Sequence, residues 1–177
     1  SSGMTGEQVA RTILDRNGLA NVPVQPAGGG PLSDHYDPRG RTVNLSQDVY
    51  AGRAVASAAI AAHEVGHAIQ HERAYGPFQL RSAMFPVVSF ASSAWLFLLM
   101  LGLVLQATGL ATLAVILFAV VVLFQLVTLP VEFDASRRAK QQLHELGLVA
   151  AGEADGAGRV LTAAAMTYVA AALAALS

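Results

Sequence analysis

Between Ala83 and Val131 the chain runs for 49 consecutive residues without an Asp, Glu, Lys or Arg. A bilayer's hydrocarbon core, roughly 30 Å thick, takes about 20 apolar helical residues to cross. The charge-free run therefore divides into two spans, Val87–Leu105 and Leu110–Pro130, joined by the short uncharged link Gln106-Ala107-Thr108-Gly109. Two spans and a tight link make a helical hairpin whose outer ends lie on the same side. A buried helix pair in a soluble protein is the competing reading, but so long a run without charge leaves neither helix a solvated face. A second charge-free stretch, Val160–Ser177, is Ala-rich. It is read as a membrane-associated helix, with a packed core helix as the alternative.

Outside these stretches the chain is nearly ordinary. The remaining 110 residues carry all 23 charges, 11 basic and 12 acidic. The overall charged fraction of 13%, against about 25% in a soluble domain, is thus a local dilution. A hydrophobic fraction of 54% excludes intrinsic disorder, and a net charge of −1 excludes a strongly basic nucleic-acid binder. With no Cys, a disulfide scaffold is excluded, and a tightly held transition metal must be bound by His and carboxylate.

The basic residues set the expected orientation. Arg73 and Arg81 precede the first span, Arg137, Arg138 and Lys140 follow the second, and the link has none. The polar mass is therefore expected on the cytoplasmic side. Four portions result: residues 1–82 at the cytoplasmic side, the hairpin 83–131, a helix and linker 132–159, and the C-terminal helix 160–177. Position 1 is Ser, and no sequence of basic, apolar and small residues marks a cleavable signal. Ser1 is accordingly expected to be a cut edge.

Thr5 followed by Gln8 is a capping-box pattern, predicting a helix through about Asn17 with Gly18 as its stop. Val22–Gln25 is a short strand candidate, followed by a flexible Pro26–Pro31 linker. Ser33–Tyr36 and Thr42–Leu45 flank Asp37-Pro38-Arg39-Gly40, which places Pro and Gly as a turn requires and predicts a β-hairpin. Ser46 then caps a helical region that extends, with a break at Gly52, through Ala54–Arg73 and ends at Gly76-Pro77.

On that helix stands His63-Glu64-Val65-Gly66-His67, an HExxH pattern. Residues four apart lie about 40° apart around a helix and about 6 Å along it, so both imidazoles can converge on one zinc. Glu64, one step away, reaches a water in the metal's open position, where it serves as general base. A catalytic zinc needs a third protein ligand, and three residues compete for the place. His71 continues the spacing but lies about 12 Å from His63 along a straight helix. His144 follows the second span without a supporting pattern. Glu132 is the better choice: it is a lone carboxylate at the polar mouth of the second span, in need of a partner. Gln125 and Thr128 precede it on the same face, a polar line expected to point into the protein.

These blocks resemble the YugP-like membrane neutral zinc metallopeptidases, which are related in design to HtpX-type and CAAX prenyl proteases. The resemblance covers nearly the whole chain. It runs through Gly3-Met4-Thr5-Gly6, Asp34-His35-Tyr36-Asp37-Pro38, AAHEVGHAIQH (Ala61–His71), FQLVTLPVEFDASRRA (Phe124–Ala139) and AAMTYVAAALAAL (Ala164–Leu176). It implies a gluzincin with one Zn2+, held by His63, His67 and Glu132, and with Glu64 as base. It also implies a bacterial, multi-pass cell-membrane protein. Related membrane gluzincins carry an Asp four residues beyond the ligand Glu, where this chain has Ser136, with Asp134 at the second position. The residue that orients a ligand His is therefore open. Family members usually begin with an N-terminal membrane helix, which is absent from this sequence.

The combined expectation is a mainly α membrane protein, with a transmembrane helical hairpin, a C-terminal helix, and a small β-hairpin or sheet beside the HExxH helix. It would be a zinc-dependent endopeptidase acting on peptides or membrane proteins at the lipid bilayer, without nucleic acid, and nothing sets an oligomeric state. Arg137, Arg138, His35 and Tyr168 are candidates for stabilising an oxyanion, and the strand near Asp34–Asp37 for holding an extended peptide. Two alternatives stand beside this. One is a catalytically inactive metal-binding scaffold. The other is a site-2-type intramembrane protease, disfavoured by Arg53, Glu72 and Arg73, which bracket the His helix with charge.

Overall fold

The computed structural model describes residues 3–150 and 152–176. Helix α1 spans Gly6–Arg16. The Thr5 hydroxyl accepts from the Gln8 backbone N–H at 3.2 Å, and Gln8 Oε1 accepts from the Thr5 N–H at 2.9 Å, so the capping box forms in both directions. Asn17 caps the other end, and Gly18 follows at φ +75°, a left-handed position suited to glycine. The apolar stripe Val9, Ala10, Ile13 and Leu14 is buried against the next long helix, α3.

Three short strands follow: β1 Val24–Pro26, β2 His35–Asp37 and β3 Thr42–Leu45. β2 and β3 pair antiparallel with Tyr36 opposite Val43, giving the expected hairpin around residues 38–41. The first strand lies two residues beyond its predicted start and pairs with β3 in parallel. The order β1-β3-β2 leaves β2 at an edge. Ser46 does not cap the following turn, α2 Gln47–Tyr50, as expected. Its hydroxyl and N–H donate instead to the Asp34 carboxylate, at 3.1 Å and 2.8 Å, tying the start of β2 to the end of β3.

The HExxH helix, α3, spans Val55–Glu72 and is separated from α2 at residues 51–54, near the expected break. Gly76-Pro77 does not end it. Ala74 turns the chain at φ +51°, and Gly76 and Pro77 open helix α4, Gly76–Val104. Proline costs nothing there, because first-turn N–H groups have no intrahelical acceptor. Helix α5, Thr108–Glu145, continues unbroken through Pro130, and α6 spans Ala154–Leu176. At about 1.5 Å per residue, α5 is roughly 57 Å long, nearly twice a hydrocarbon core. Its first part forms the hairpin with α4, where Trp95 and Phe118 rings meet at 4.8 Å. Its last part emerges to pack against α3 and α6.

Helices α4, α5 and α6 are each long and apolar enough to cross a membrane. Their apolar side chains point outward: Phe97 is 67% exposed and Val104 75%. None of the described residues covers them, so the buried-pair alternative fails and lipid is the solvent they suit. The protein core lies elsewhere, between α1, the sheet, α3 and the emergent part of α5, around Ile13, Leu14, Leu45, Val65, Val131, Leu143 and Leu161.

Candidate metal centre

Side-chain size decides how closely α3 and α5 approach. A Cβ on Gly66 would sit 2.7 Å from the Ala135 carbonyl oxygen, closer than atoms can pack. The glycine inside the HExxH pattern thus lets the two helix backbones touch, and α5 places Glu132 against both histidines. Glu132 Oε2 lies 3.0 Å from His63 Nε2, and Oε1 lies 3.6 Å from His67 Nε2. Ligand atoms about 2.0–2.1 Å from a tetrahedral zinc stand about 3.3 Å apart, so both separations suit such an ion. His63, His67 and Glu132 are the group among the described residues whose donor atoms converge in this way, all within 4.8 Å. Glu132 is 2% exposed, and Arg81 Nη1, 2.8 Å from its Oε1, supplies one counter-charge.

The far ring nitrogens are held as ligand histidines require. Gln70 is fully buried, and its Nε2 donates to the Val131 carbonyl at 2.8 Å and to Asp134 Oδ2 at 2.9 Å. Those two acceptors fix the amide's orientation, leaving Gln70 Oε1 2.9 Å from His67 Nδ1. An amide oxygen only accepts, so His67 carries its proton on Nδ1 and offers a bare Nε2 lone pair to a metal. His63 Nδ1 meets the Ser136 hydroxyl at 3.1 Å. The two residues left open by the sequence therefore serve different histidines: Ser136 contacts His63 directly, and Asp134 reaches His67 through Gln70.

Asp134 is itself anchored by Arg138 Nε at 2.6 Å and by Arg137. Neither arginine lines the cavity in front of the histidines, and Arg138 also lies over the Tyr75 ring. His35 from β2 and Tyr168 from α6 do line it. His71 is not part of the metal group; its Nδ1 pairs with the Tyr36 hydroxyl at 2.9 Å and ties β2 to α3. His144 is exposed and borders a separate cavity. Thr128 is buried as expected, whereas Gln125 is only half-buried.

Arg81 was legible only as a membrane-flanking charge, yet its Nη1 lies 2.8 Å from Glu132 Oε1 and the residue lines the cavity. A single cation one residue before a long charge-free run was the available signal. Gln70 also went unread, although it sits three residues past His67 on the same face of α3.

Glu64 is 8% exposed, and no hydrogen bond from the described residues reaches its carboxylate. Burial pushes its pKa up to about 7, His63 opposing the rise and Glu132 adding to it. Between pH 4.5 and 7, the metal-free folded protein therefore keeps a proton that the unfolded chain has lost. Its stability falls as pH rises through that window. Glu64→Gln is accordingly expected to stabilise the metal-free protein at pH 8, by on the order of 3 kcal/mol, and to be close to neutral near pH 4. Thermal melts in detergent with chelator check this; equal gains at both pH values would contradict it.

The cavity facing these groups has a volume of ≈ 800 Å³ and opens between the β2 edge, α4 and α6. Phe78, 5% exposed, forms its apolar wall, packing on His67, His71 and Tyr36.

Comparison with known proteins agrees with this geometry. The family model described as "Putative neutral zinc metallopeptidase" matches residues 1–177. The "Putative membrane protease YugP" of Bacillus subtilis (strain 168) is 52% identical over 176 residues, covering 99% of this chain and 78% of that protein. No solved structure gives a significant match. A match along the whole sequence, on a chain whose His63, His67 and Glu132 suit a zinc ion, places this membrane protein in the neutral zinc metallopeptidase family.

Proposed function

We propose that the chain is an endopeptidase that cuts membrane proteins, or their juxtamembrane segments, at the cytoplasmic surface of the bilayer. The observation that carries this reading is Glu64: a carboxylate with no hydrogen-bond partner among the described residues, facing an open cavity one residue from a metal-suited His pair.

A bound zinc supplies Lewis acidity to water and to a substrate carbonyl. His63, His67 and Glu132 hold it, with Ser136, Gln70 and Asp134 fixing the two rings. Glu64 takes the proton of the attacking water on its carboxylate and delivers it to the departing amine. Tyr168 and His35 offer donors to the oxygen on which negative charge develops. The unpaired edge of β2 gives an extended peptide backbone partners without reading its side chains.

The packing of α3 against α1, α6 and the sheet supports a site at the membrane surface over one within the bilayer. The cytoplasmic assignment rests on Arg73, Arg81, Arg137, Arg138 and Lys140 flanking the hairpin. The test is the position of cleavage. Incubating an unfolded soluble protein with the detergent-purified, zinc-loaded chain should produce new termini at internal bonds, detected by mass spectrometry. Trimming confined to substrate ends would rule out an endopeptidase, and no cleavage at full zinc occupancy would favour the inactive scaffold.

A further inference from the structure

A second cavity, ≈ 780 Å³, lies between the emergent end of α5 and the start of α6, outside the metal centre. Lys140 from α5 and Arg159 from α6 line it together. The Lys140 side chain reaches α6: a Cβ on Gly158, the residue before Arg159, would lie 3.4 Å from Lys140 Cε. Among the described residues neither cation has an ion-pair partner. Asp155, the one carboxylate lining the cavity, makes no ion pair with Arg159 one turn away. Two cations thus line one cavity beside a single carboxylate, which leaves net positive charge for an anion.

What lies beyond the cavity says which anion. Arg159 is the last charge before the apolar stretch of α6. Thr162, also in the lining, is followed at helical spacing by Met166 and Leu173, which are 53% and 62% exposed. One face of α6 therefore passes from cationic to apolar in the direction of the membrane. A soluble anion would use only the cationic end, whereas a phospholipid matches both. Basic pockets between membrane helices suit anionic headgroups.

We propose that this cavity binds the phosphate-bearing headgroup of an anionic phospholipid, with Lys140 and Arg159 on the phosphate and an acyl chain along Met166 and Leu173. The site bridges α5, which carries Glu132, and α6, which carries Tyr168.

The test uses the full chain, delipidated in detergent and offered equimolar phosphatidylglycerol and phosphatidylcholine of identical acyl chains, with bound lipid counted by native mass spectrometry. The parent should prefer phosphatidylglycerol, and Lys140→Gln with Arg159→Gln should erase that preference, about fivefold per charge and about 25-fold together. Arg16→Gln with Arg53→Gln, an equal change of net charge at exposed positions elsewhere, should leave it intact. No preference in the parent, or equal loss in both double variants, would overturn the proposal. Displacement of the lipid by an excess of inorganic phosphate would also overturn it, identifying a soluble anion as the occupant.

Discussion

Replacing Glu64 by Gln is expected to slow peptide cleavage by about 10²–10⁴-fold while zinc content stays at the parent's level. Proton transfer by a positioned side chain contributes about 10²–10⁴-fold, and an amide of the same shape can neither take nor return the proton. The two effects separate because Glu64 is not among the three residues whose donor atoms converge. Burial favours the substitution, since Gln avoids the cost of a carboxylate held 8% exposed without a partner. Loss of activity therefore should not reflect unfolding. The measurement is cleavage of a fluorogenic unfolded substrate by both proteins at matched zinc occupancy. A variant within tenfold of an active parent would remove Glu64 from the chemistry.

Glu132→Ala should act on the other half of the site. It removes one of three donor groups and leaves His63, His67 and Arg81 without the carboxylate they share. Losing a partner outside the ligand set typically costs 10- to 100-fold in metal affinity, so losing a ligand should cost more than about 100-fold. Purified in the same way, the variant should hold little zinc. His71→Ala supplies the contrast: His71 is engaged by Tyr36, so zinc should be retained. The opposite pattern, zinc kept without Glu132 and lost without His71, would overturn the ligand assignment.

How far the site could be read in advance depended on whether its parts were neighbours along the chain. His63, Glu64 and His67 lie within one turn of α3, where helical geometry alone brings them together. Glu132 is 69 positions from His63. It could be picked out because the charge-free run ends there, and a carboxylate in that place needs a partner. The contact itself depends on how closely α3 and α5 pack, which Gly66 permits and no local pattern announces. Arg81 stayed hidden for the same reason: its role follows from where α4 begins. That start was misread because Gly-Pro ends one helix as readily as it opens another. Ser46 was misread because Asp34, 12 residues earlier, competes for its hydroxyl. By contrast, the capping box at Thr5 and the hairpin around residues 37–40 depend on adjacent residues, and both formed, the hairpin with its first strand shifted to His35–Asp37.

The central claim is that one zinc, held by residues from α3 and α5, supports peptide hydrolysis. Metal removal tests it most directly. The purified chain should lose cleavage of an unfolded substrate when stripped with chelator, and regain it in proportion to added zinc up to one equivalent per chain. Cleavage that survives complete removal, or an unresponsive protein at one bound zinc per chain, would contradict the account.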